Sequence, residues 1–244
     1  MERPQPCGEL HHVSSRVLAD ALEDVDHRWL YRGLSPDSIL MCANYRPSSR
    51  EVLAALPLPP PDFSYGEAYP GSIVPVVTNF APREWVPACF GLIPTWAKDA
   101  KIARNTYNAR SETVGEKPSF RSAWKRGQLC IIPADAIYEP CYETGKAVRW
   151  RIERGDGKPM GIAGLWERRL KDDGLPSWSM TMLTINADSD PVFRRFHKPE
   201  DEKRSVVILP DDGWGDWLRC KSGAEAGAML SSNGMVLHAE LDPR

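Results

Sequence analysis

The sequence predicts an α+β protein: one domain of mostly antiparallel, barrel-like β-sheet with a few peripheral helices. Two observations indicate this class. Short β-type runs recur along the chain, separated by Gly, Pro and Asp turns such as Gly155-Asp156-Gly157. The helical segments between them are few and irregularly placed, unlike the regular alternation of a doubly wound fold. With 244 residues, 42% of them hydrophobic, the chain can bury a substantial core.

Three helices and seven strands are predicted in detail. Ser48-Ser49-Arg50-Glu51 begins a capped helix over residues 48–56, which Pro57 and the following prolines end. Two further helices are expected over residues 119–126, stopped by Gly127, and over residues 212–219. The predicted strands cover residues 73–78, 85–92, 129–132, 147–152, 160–166, 179–185 and 205–209.

The residues before Met41 differ in character from the rest. They hold four basic and seven acidic side chains, and little in them resembles an apolar face. We therefore expect a folded domain over residues 42–240, preceded by an extension over residues 1–41. That extension is either upstream sequence included by a wrong start assignment or a segment removed by processing.

Composition excludes several function classes. No apolar run approaches the ~18–20 residues that a membrane span needs, and no secretory signal is visible, so we expect a cytoplasmic protein without membrane contact. Six scattered cysteines without a C-x-x-C pair argue against a disulfide framework and a zinc site. We expect no metal and no organic cofactor. The net charge of −2 leaves nucleic-acid binding to local patches.

One such patch is the stretch 98–126, which carries eight basic and three acidic residues. Trp96, Tyr107, Phe120 and Trp124 lie in or beside it. Cations interleaved with aromatic rings suit single-stranded nucleic acid, because phosphates need cations and unstacked bases need flat surfaces. The ordinary alternative is a solvated surface with aromatic residues in the core.

Four segments carry side chains suited to nucleophilic catalysis: a thiol at Cys42, an amide at Asn108, a carboxylate at Glu139 and an imidazole at His197. Their order and spacing, together with the block at 108–113 (N-A-R-x-E-T), resemble the SRAP family of SOS-response-associated peptidases and abasic-site processing proteins. The strings at 90–94 (FGLIP) and 164–167 (GLWE) are also similar to that family. The resemblance covers about residues 41–220.

The resemblance implies that Cys42 becomes the first residue of the mature protein. Its α-amine and thiol then attack the aldehyde of an abasic site in single-stranded DNA and form a thiazolidine crosslink. Hydrolase or peptidase character, and some lyase character, are implied for the same site. The partner is single-stranded DNA containing abasic sites, so we expect nucleoid association of the DNA-bound protein, which we expect to be a monomer.

The resemblance also assigns roles to the other residues. Glu139 moves protons, His197 assists at the sugar ring oxygen or a phosphate, and Asn108 orients the terminal amine. Expected DNA contacts are Asn44, Trp96, Arg104, Arg110 and Lys125, with Arg110 on a phosphate and Trp96 against a base.

Each assignment has an ordinary structural alternative. Cys42 is alternatively a buried packing residue, Asn108 a turn cap, and Arg110 the partner of Glu112 or another carboxylate. Glu139 is alternatively a carboxylate at a turn, His197 a surface histidine and Trp96 a core residue. Two different functions also stay open: a thiol hydrolase with Cys42 internal, and a single-strand binder without catalysis.

The sequence departs from the family pattern in three places. Cys42-Ala43-Asn44 stands where Cys-Gly-Arg is common, Pro140 stands where tryptophan is frequent, and the segment 197–204 is longer than usual. These departures bear on the DNA contacts more than on the core chemistry.

Overall fold

The computed structural model describes residues 43–48, 58, 66–170, 174, 176–231 and 234–243. Met41, Cys42 and the predicted helix 48–56, apart from Ser48, lie outside the described residues. Among the described residues, no helix is both long enough and apolar enough to cross a membrane.

Eleven strands within the described residues join in one sheet. They are β1 (Asn44–Pro47), β2 (Ile73–Thr78), β3 (Val86–Phe90), β4 (Asn108–Arg110), β5 (Leu129–Cys141), β6 (Val148–Arg154), β7 (Met160–Leu170), β8 (Pro176–Asn186), β9 (Arg204–Val206), β10 (Ile208–Leu209) and β11 (Leu237–Leu241). The α-helices of this part of the chain are α1 (Arg121–Lys125), α2 (Trp214–Arg219) and α3 (Gly223–Gly227), and its 3₁₀ helices are Ala100–Asn105, Phe193–Arg195 and Asp211–Gly213.

Five of the strands close into a barrel. β5 pairs with β7, β7 with β8, β8 with β3, β3 with β2, and β2 returns to β5. Of these pairings only β3–β8 is parallel. The predicted class, a mostly antiparallel and barrel-like α+β domain with few helices, is therefore confirmed.

β5 closes the barrel by pairing with both β2 and β7, and it is apolar on both of its faces. Side chains point alternately to opposite faces of a strand, so Cys130 and Ile132 belong to the core cluster inside the barrel. Leu129 and Ile131 belong to a second cluster, in which α2 covers the outside with Trp217. The indole N–H of Trp217 donates to the carbonyl of Cys130 at 2.9 Å and anchors that helix. A continuous apolar run is the expected sequence of a strand buried on both faces.

Two strands differ from the prediction in ways that matter for the site. β5 continues nine residues past the predicted end at residue 132, because its second half leaves the barrel and pairs with β1 and β6. The predicted strand 205–209 is interrupted at Val207, since Val206 pairs with β8 whereas Ile208 pairs with β7. No sequence pattern predicted β1, β4, β11, α3 or the 3₁₀ helix Ala100–Asn105.

Gly91 allows the basic stretch to dock on the barrel. Its φ is +116°, and a Cβ at this position would lie 2.2 Å from the carbonyl oxygen of Ala103 in the 3₁₀ helix. Only glycine tolerates both the conformation and the close approach. The helix Ala100–Asn105, which carries Arg104, is therefore seated directly against the end of β3.

Candidate functional site

The carboxylate of Glu139 and the imidazole of His197 meet in a buried position. Glu139 lies in the second half of β5 and is 1% exposed, while His197 is 5% exposed. Glu139 Oε2 lies 3.8 Å from His197 Nδ1. This separation exceeds a hydrogen bond but suits an ion pair when the ring is protonated. A buried carboxylate facing an imidazole is an arrangement suited to proton transfer.

The backbone holds His197 in an unusual conformation. Its φ is +67°, in the left-handed region that non-glycine residues seldom adopt. The His197 amide donates to the carbonyl of Pro140 at 2.9 Å, so the histidine is tied to the residue that follows Glu139. Phe196, fully buried, packs edge-on against Trp150, the cross-strand partner of Glu139. Such strain persists where the surroundings impose it, as is common at functional sites.

The other ring nitrogen faces a carbonyl group. His197 Nε2 lies 3.3 Å from the carbonyl oxygen of Arg204. An oxygen acceptor there favours the tautomer with hydrogen on Nε2, an assignment inferred from the contact. Nδ1 is then the nitrogen that accepts or releases a proton on the side of Glu139.

Asn108 begins β4, a three-residue strand that lies parallel to β8 opposite Met182. The adjacent Tyr107 packs edge-on against Phe90, which packs in the same way against Tyr45 of β1. This row of three rings connects β4 with β1, and β1 pairs with the strand that carries Glu139. The three short segments around Asn108, Glu139 and His197 therefore share one core cluster.

Cys42 lies outside the described residues, and Asn44, two positions later, begins β1. Both polar atoms of the Asn44 side-chain amide form hydrogen bonds within the protein. Its nitrogen donates to the carbonyl of Ala68, and its oxygen accepts from Arg149. Arg149 also pairs with Glu67 and lies over the ring of Tyr138 at 3.6 Å. A DNA contact through Asn44 stays a prediction.

All eight basic residues of the stretch 98–126 are exposed. Of its four aromatic residues, Trp96 is exposed by 57%, Phe120 is buried, and Tyr107 and Trp124 are half-buried. The structural alternative of a core residue therefore does not hold for Trp96. Arg104 and Lys125 are exposed and have no ion pair within the described part of the chain. The surface offers both cations and one flat ring, as single-stranded nucleic acid requires.

Arg110 takes part in a row of alternating charges, of which the sequence indicated only a carboxylate as one possible partner of Arg110. Its Nη1 lies 2.9 Å from Oε2 of Glu202, and Oε1 of Glu202 lies 2.8 Å from Nη1 of Arg204. Arg204 is 1% exposed and also makes two hydrogen bonds of 2.9 Å to Glu112. The partner of Arg110 is thus a carboxylate, but it is Glu202 and not Glu112. The extra length of the segment 197–204 was the one sequence signal for this arrangement.

Hydrogen bonds within this row shift the pKa values of Glu202, Glu112 and Arg204 toward their charged forms. Those from Arg204 and Asn186 hold the pKa of Glu202 below its usual value. Burial raises the pKa of Glu112, but the hydrogen bond and charge of Arg204 outweigh it and leave that pKa lowered. Burial disfavours the charge of Arg204, yet the two carboxylates raise its pKa above the usual value. All three groups are therefore charged near neutral pH.

A pocket of about 490 Å³ opens beside His197, between Tyr142, Arg195 and Lys203. Arg195 is held there by Glu143 through two hydrogen bonds and lies over the ring of Trp150. The imidazole thus lies in the wall of a pocket whose lining carries both basic and acidic side chains.

Two of the described cysteines, Cys89 and Cys130, are poor nucleophiles. Burial raises the pKa of the Cys89 thiol to about 12 and raises that of the fully buried Cys130 as well. A thiolate, the reactive form, is therefore scarce at both positions at neutral pH. Within the described residues no group of three or more His, Cys, Asp or Glu side chains is placed to hold a metal ion.

Comparison with known proteins gives consistent matches. A sequence model described as SOS response associated peptidase (SRAP) matches residues 54–239. The chain is 32% identical over 160 residues to the abasic site processing protein YoqW of Bacillus subtilis (strain 168), covering 65% of this chain and 68% of that protein. Over 56 residues it is 41% identical to the abasic site processing protein HMCES of Rattus norvegicus, covering 22% of this chain and 16% of that protein.

Two solved structures have the same architecture. A crystal structure of a protein from Bordetella bronchiseptica superimposes with a TM-score of 0.73 at 37% identity, covering 83% of this chain and 100% of that one. A second, from Bacteroides thetaiotaomicron, gives a TM-score of 0.68 at 21% identity, covering 82% of this chain and 91% of that one. The second comparison bears on the fold alone.

Proposed function

The chain belongs to the SRAP family, and from that premise we propose that it captures abasic sites in single-stranded DNA as a covalent crosslink through Cys42. The observation that carries the proposal is the buried pair of Glu139 and His197, joined at 3.8 Å where β5 meets the segment before β9. β1, which begins two residues after Cys42 in the chain, pairs with β5 in register with Tyr138, the neighbour of Glu139. The relatives named abasic site processing proteins support the substrate class.

The chemistry needs an amine and a thiol on one residue. The α-amine of Cys42 adds to the ring-opened aldehyde of the abasic sugar, and loss of one water gives an imine. The thiol then adds to the imine carbon, its proton passes to the nitrogen, and a five-membered thiazolidine closes. An α-amine has a pKa of ~7.7–8.0 against ~10.4 for lysine, so a far larger fraction is neutral and nucleophilic near pH 7.

The surrounding residues supply proton transfers and binding. We assign proton movement during amine addition and ring closure to Glu139. We assign to His197 the proton transfer at the sugar oxygen, since its Nδ1 side faces Glu139 and the ring borders the pocket. Asn108 orients the terminal amine, and the exposed Arg104, Arg110, Lys125 and Trp96 bind the strand. No step needs a metal or a cofactor.

A functional form that begins at Cys42 follows from this chemistry. While residue 41 is attached, the nitrogen of Cys42 is an amide whose lone pair is delocalised into the carbonyl, and it forms no imine. We propose that translation starts at Met41 with subsequent loss of the methionine, or that residues 1–41 are removed by cleavage. Self-cleavage at this bond by Cys42, Glu139 and His197 would be the peptidase activity, and hydrolysis of the crosslink would use the same groups.

The test compares two forms of the protein on single-stranded DNA with one abasic site. One starts at Met41, and the other is the full chain with residues 1–41 verified by intact mass. The form that exposes Cys42 should give a complex that survives boiling in detergent, whereas the full chain should not. Cys42→Ala should abolish the complex, and removal of the half-buried thiol of Cys89 by Cys89→Ala should leave it unchanged.

The two rival functions give different outcomes in the same experiment. An internal-thiol hydrolase would act on a small ester or peptide with residues 1–41 attached and would lose that activity with Cys42→Ser. A single-strand binder without catalysis would show salt-sensitive binding and no complex that resists denaturation. Either result would contradict the proposed function.

A further inference from the structure

Glu202 forms an ion pair with the guanidinium of Arg110, the group that binds a DNA phosphate in the proposed function. Arg110 Nη1 lies 2.9 Å from Glu202 Oε2, and the Arg110 side chain is 51% exposed. A carboxylate oxygen and a phosphate oxygen are equivalent partners for arginine, since both are anions that accept charge-assisted hydrogen bonds. One guanidinium edge cannot be bound fully by both.

The other carboxylate oxygen of Glu202, Oε1, is bound by two side chains that also have other hydrogen-bond partners. Oε1 accepts from Arg204 at 2.8 Å and from Asn186 at 3.2 Å. Arg204 is already balanced by Glu112 through two hydrogen bonds of 2.9 Å, and it also donates to the carbonyl of Thr184. If Glu202 moves away, the buried charge of Arg204 keeps its other carboxylate. Glu202 is therefore the member of the row that an incoming anion can displace.

We propose that Glu202 is an internal competitor for the phosphate site at Arg110, and that it limits how much of the protein undamaged DNA occupies. This inference rests on the proposed function, in which Arg110 holds a phosphate. An undamaged strand must displace Glu202 and gains only a reversible contact. A strand with an abasic site pays the same binding penalty but is then retained by the covalent bond. Weak binding to intact DNA thus leaves the final capture of the lesion intact.

The position of Glu202 supports a role specific to this chain. It lies in the segment 197–204, between His197 of the candidate site and Arg204 at the start of β9. Six of the eight residues in that segment are charged besides the histidine: Lys198, Glu200, Asp201, Glu202, Lys203 and Arg204. Of its acidic side chains, Glu202 is the one that joins Arg110 to Arg204. Glu200, two residues earlier and exposed, offers a matched control because it has no ion pair within the described residues.

The test measures binding of the full chain to undamaged oligo(dT) as a function of salt. Since an exposed ion pair is weak, Glu202→Gln should tighten binding about two- to fivefold. It should also steepen the slope of log K against log salt by about 0.7–1, as one more cation becomes available to phosphate. Glu200→Gln changes net charge equally and should give clearly less of both effects. Arg110→Ala should weaken binding and flatten the slope by about one in the Glu202→Gln background, but flatten it by no more than about 0.3 in the unsubstituted protein, and adding Glu202→Gln to Arg110→Ala should restore nothing.

Equal gains for Glu202→Gln and Glu200→Gln would overturn the inference, because general repulsion would then explain both. A gain that persists in the Arg110→Ala background would also overturn it. Occupation by undamaged DNA is measured separately, with the form that starts at Met41: excess oligo(dT) should slow crosslinking of an abasic strand more in Glu202→Gln than in the unsubstituted protein. Absence of crosslinking by the unsubstituted protein would contradict the proposed function, while the oligo(dT) comparison would still decide the competition at Arg110. Thermal melting of each variant checks that the fold is retained.

Discussion

His197 Nδ1 lies 3.8 Å from Glu139 Oε2, and both side chains are almost completely shielded from solvent. The two residues are 58 positions apart, and a backbone hydrogen bond from His197 to Pro140 fixes their proximity. The pair is therefore a product of the fold and does not depend on the flexible reach of two side chains. Conservative substitutions of either residue can therefore test proton transfer by the pair while the fold is retained.

Glu139→Gln should slow crosslinking by ~10²–10⁴-fold with DNA binding retained. Glutamine keeps the size and a hydrogen-bonding oxygen but removes the basic carboxylate, and this is the range expected for losing a general acid–base group. Crosslinking rates at saturating DNA and binding to undamaged DNA are measured in parallel. Lost binding with an unchanged rate of crosslinking would contradict the role given to Glu139.

His197→Asn is the informative substitution at the histidine. The left-handed φ of +67° is tolerated by asparagine at little cost, whereas alanine would add backbone strain to the loss of the ring. We expect the asparagine variant to melt close to the unsubstituted protein and to crosslink at least tenfold more slowly. A full rate in His197→Asn would show that the imidazole serves packing alone.

Trp96→Ala should weaken binding to single-stranded DNA without lowering stability. The ring is 57% exposed, and stacking of a base on such a ring is worth ~1–3 kcal/mol. Trp124→Ala is the contrasting variant, because that ring packs on the outer core cluster and closely approaches Gly223. It should lower the melting temperature instead. Unchanged affinity in Trp96→Ala would remove this residue from the binding surface.

The competition between Glu202 and a DNA phosphate for Arg110 should disappear at acidic pH. The pKa of Glu202 is lowered, mainly by its hydrogen bond from Arg204, so the carboxylate is ionised throughout neutral pH. The affinity ratio of Glu202→Gln to the unsubstituted protein for oligo(dT) should therefore be constant from pH 6 to 8. It should approach one only as the pH falls below the ordinary value of 4.5 and through the lowered pKa. A ratio that changes between pH 6 and 8 would implicate another group.

The stability of the folded protein should also decrease as the pH falls below the ordinary pKa of a glutamate. Because the folded state lowers the pKa values of Glu112 and Glu202, their contribution is present above the ordinary carboxyl pKa and is lost as the pH falls through the lowered values. Glu112→Gln should thus reduce the melting temperature at pH 7 and have a smaller effect at the lowest pH at which the protein stays folded. A deficit of equal size at both pH values would show that the charge of Glu112 is not what stabilises Arg204.

Gly91→Ala should destabilise the domain by about 2–4 kcal/mol, the sum of a positive-φ penalty and a steric clash. The clash is with backbone, since Ala103 O lies 2.2 Å from the added Cβ, so a rotamer change cannot relieve it. Gly157→Ala is the control, because its φ is also positive but open space surrounds the Cβ position. It should cost only the conformational part. Chemical denaturation of both variants measures the difference.

The sequence alone determined the fold class, the family resemblance and the main strands. The strand 73–78 was predicted with its observed bounds, because Gly71 and Asn79 flank a run of β-type residues. The Asn108-Ala109-Arg110 block and the order of Glu139 and His197 pointed to the family that the comparisons then showed. These signals are local in sequence, so they can be read without knowing what each residue packs against.

The tertiary structure decided the features that depend on distant partners. β5 continues to Cys141 because β1 and β6 are available to pair with it, although Pro133 and Pro140 lie within that stretch. The contacts of Arg110 with Glu202 and of Arg204 with Glu112 each span 92 residues. Spacing along the chain carries no information about such pairs, since their energies arise only once the strands have brought them together. The candidate catalytic residues could thus be named from sequence, whereas the competitor at Arg110 could be found only in the folded protein.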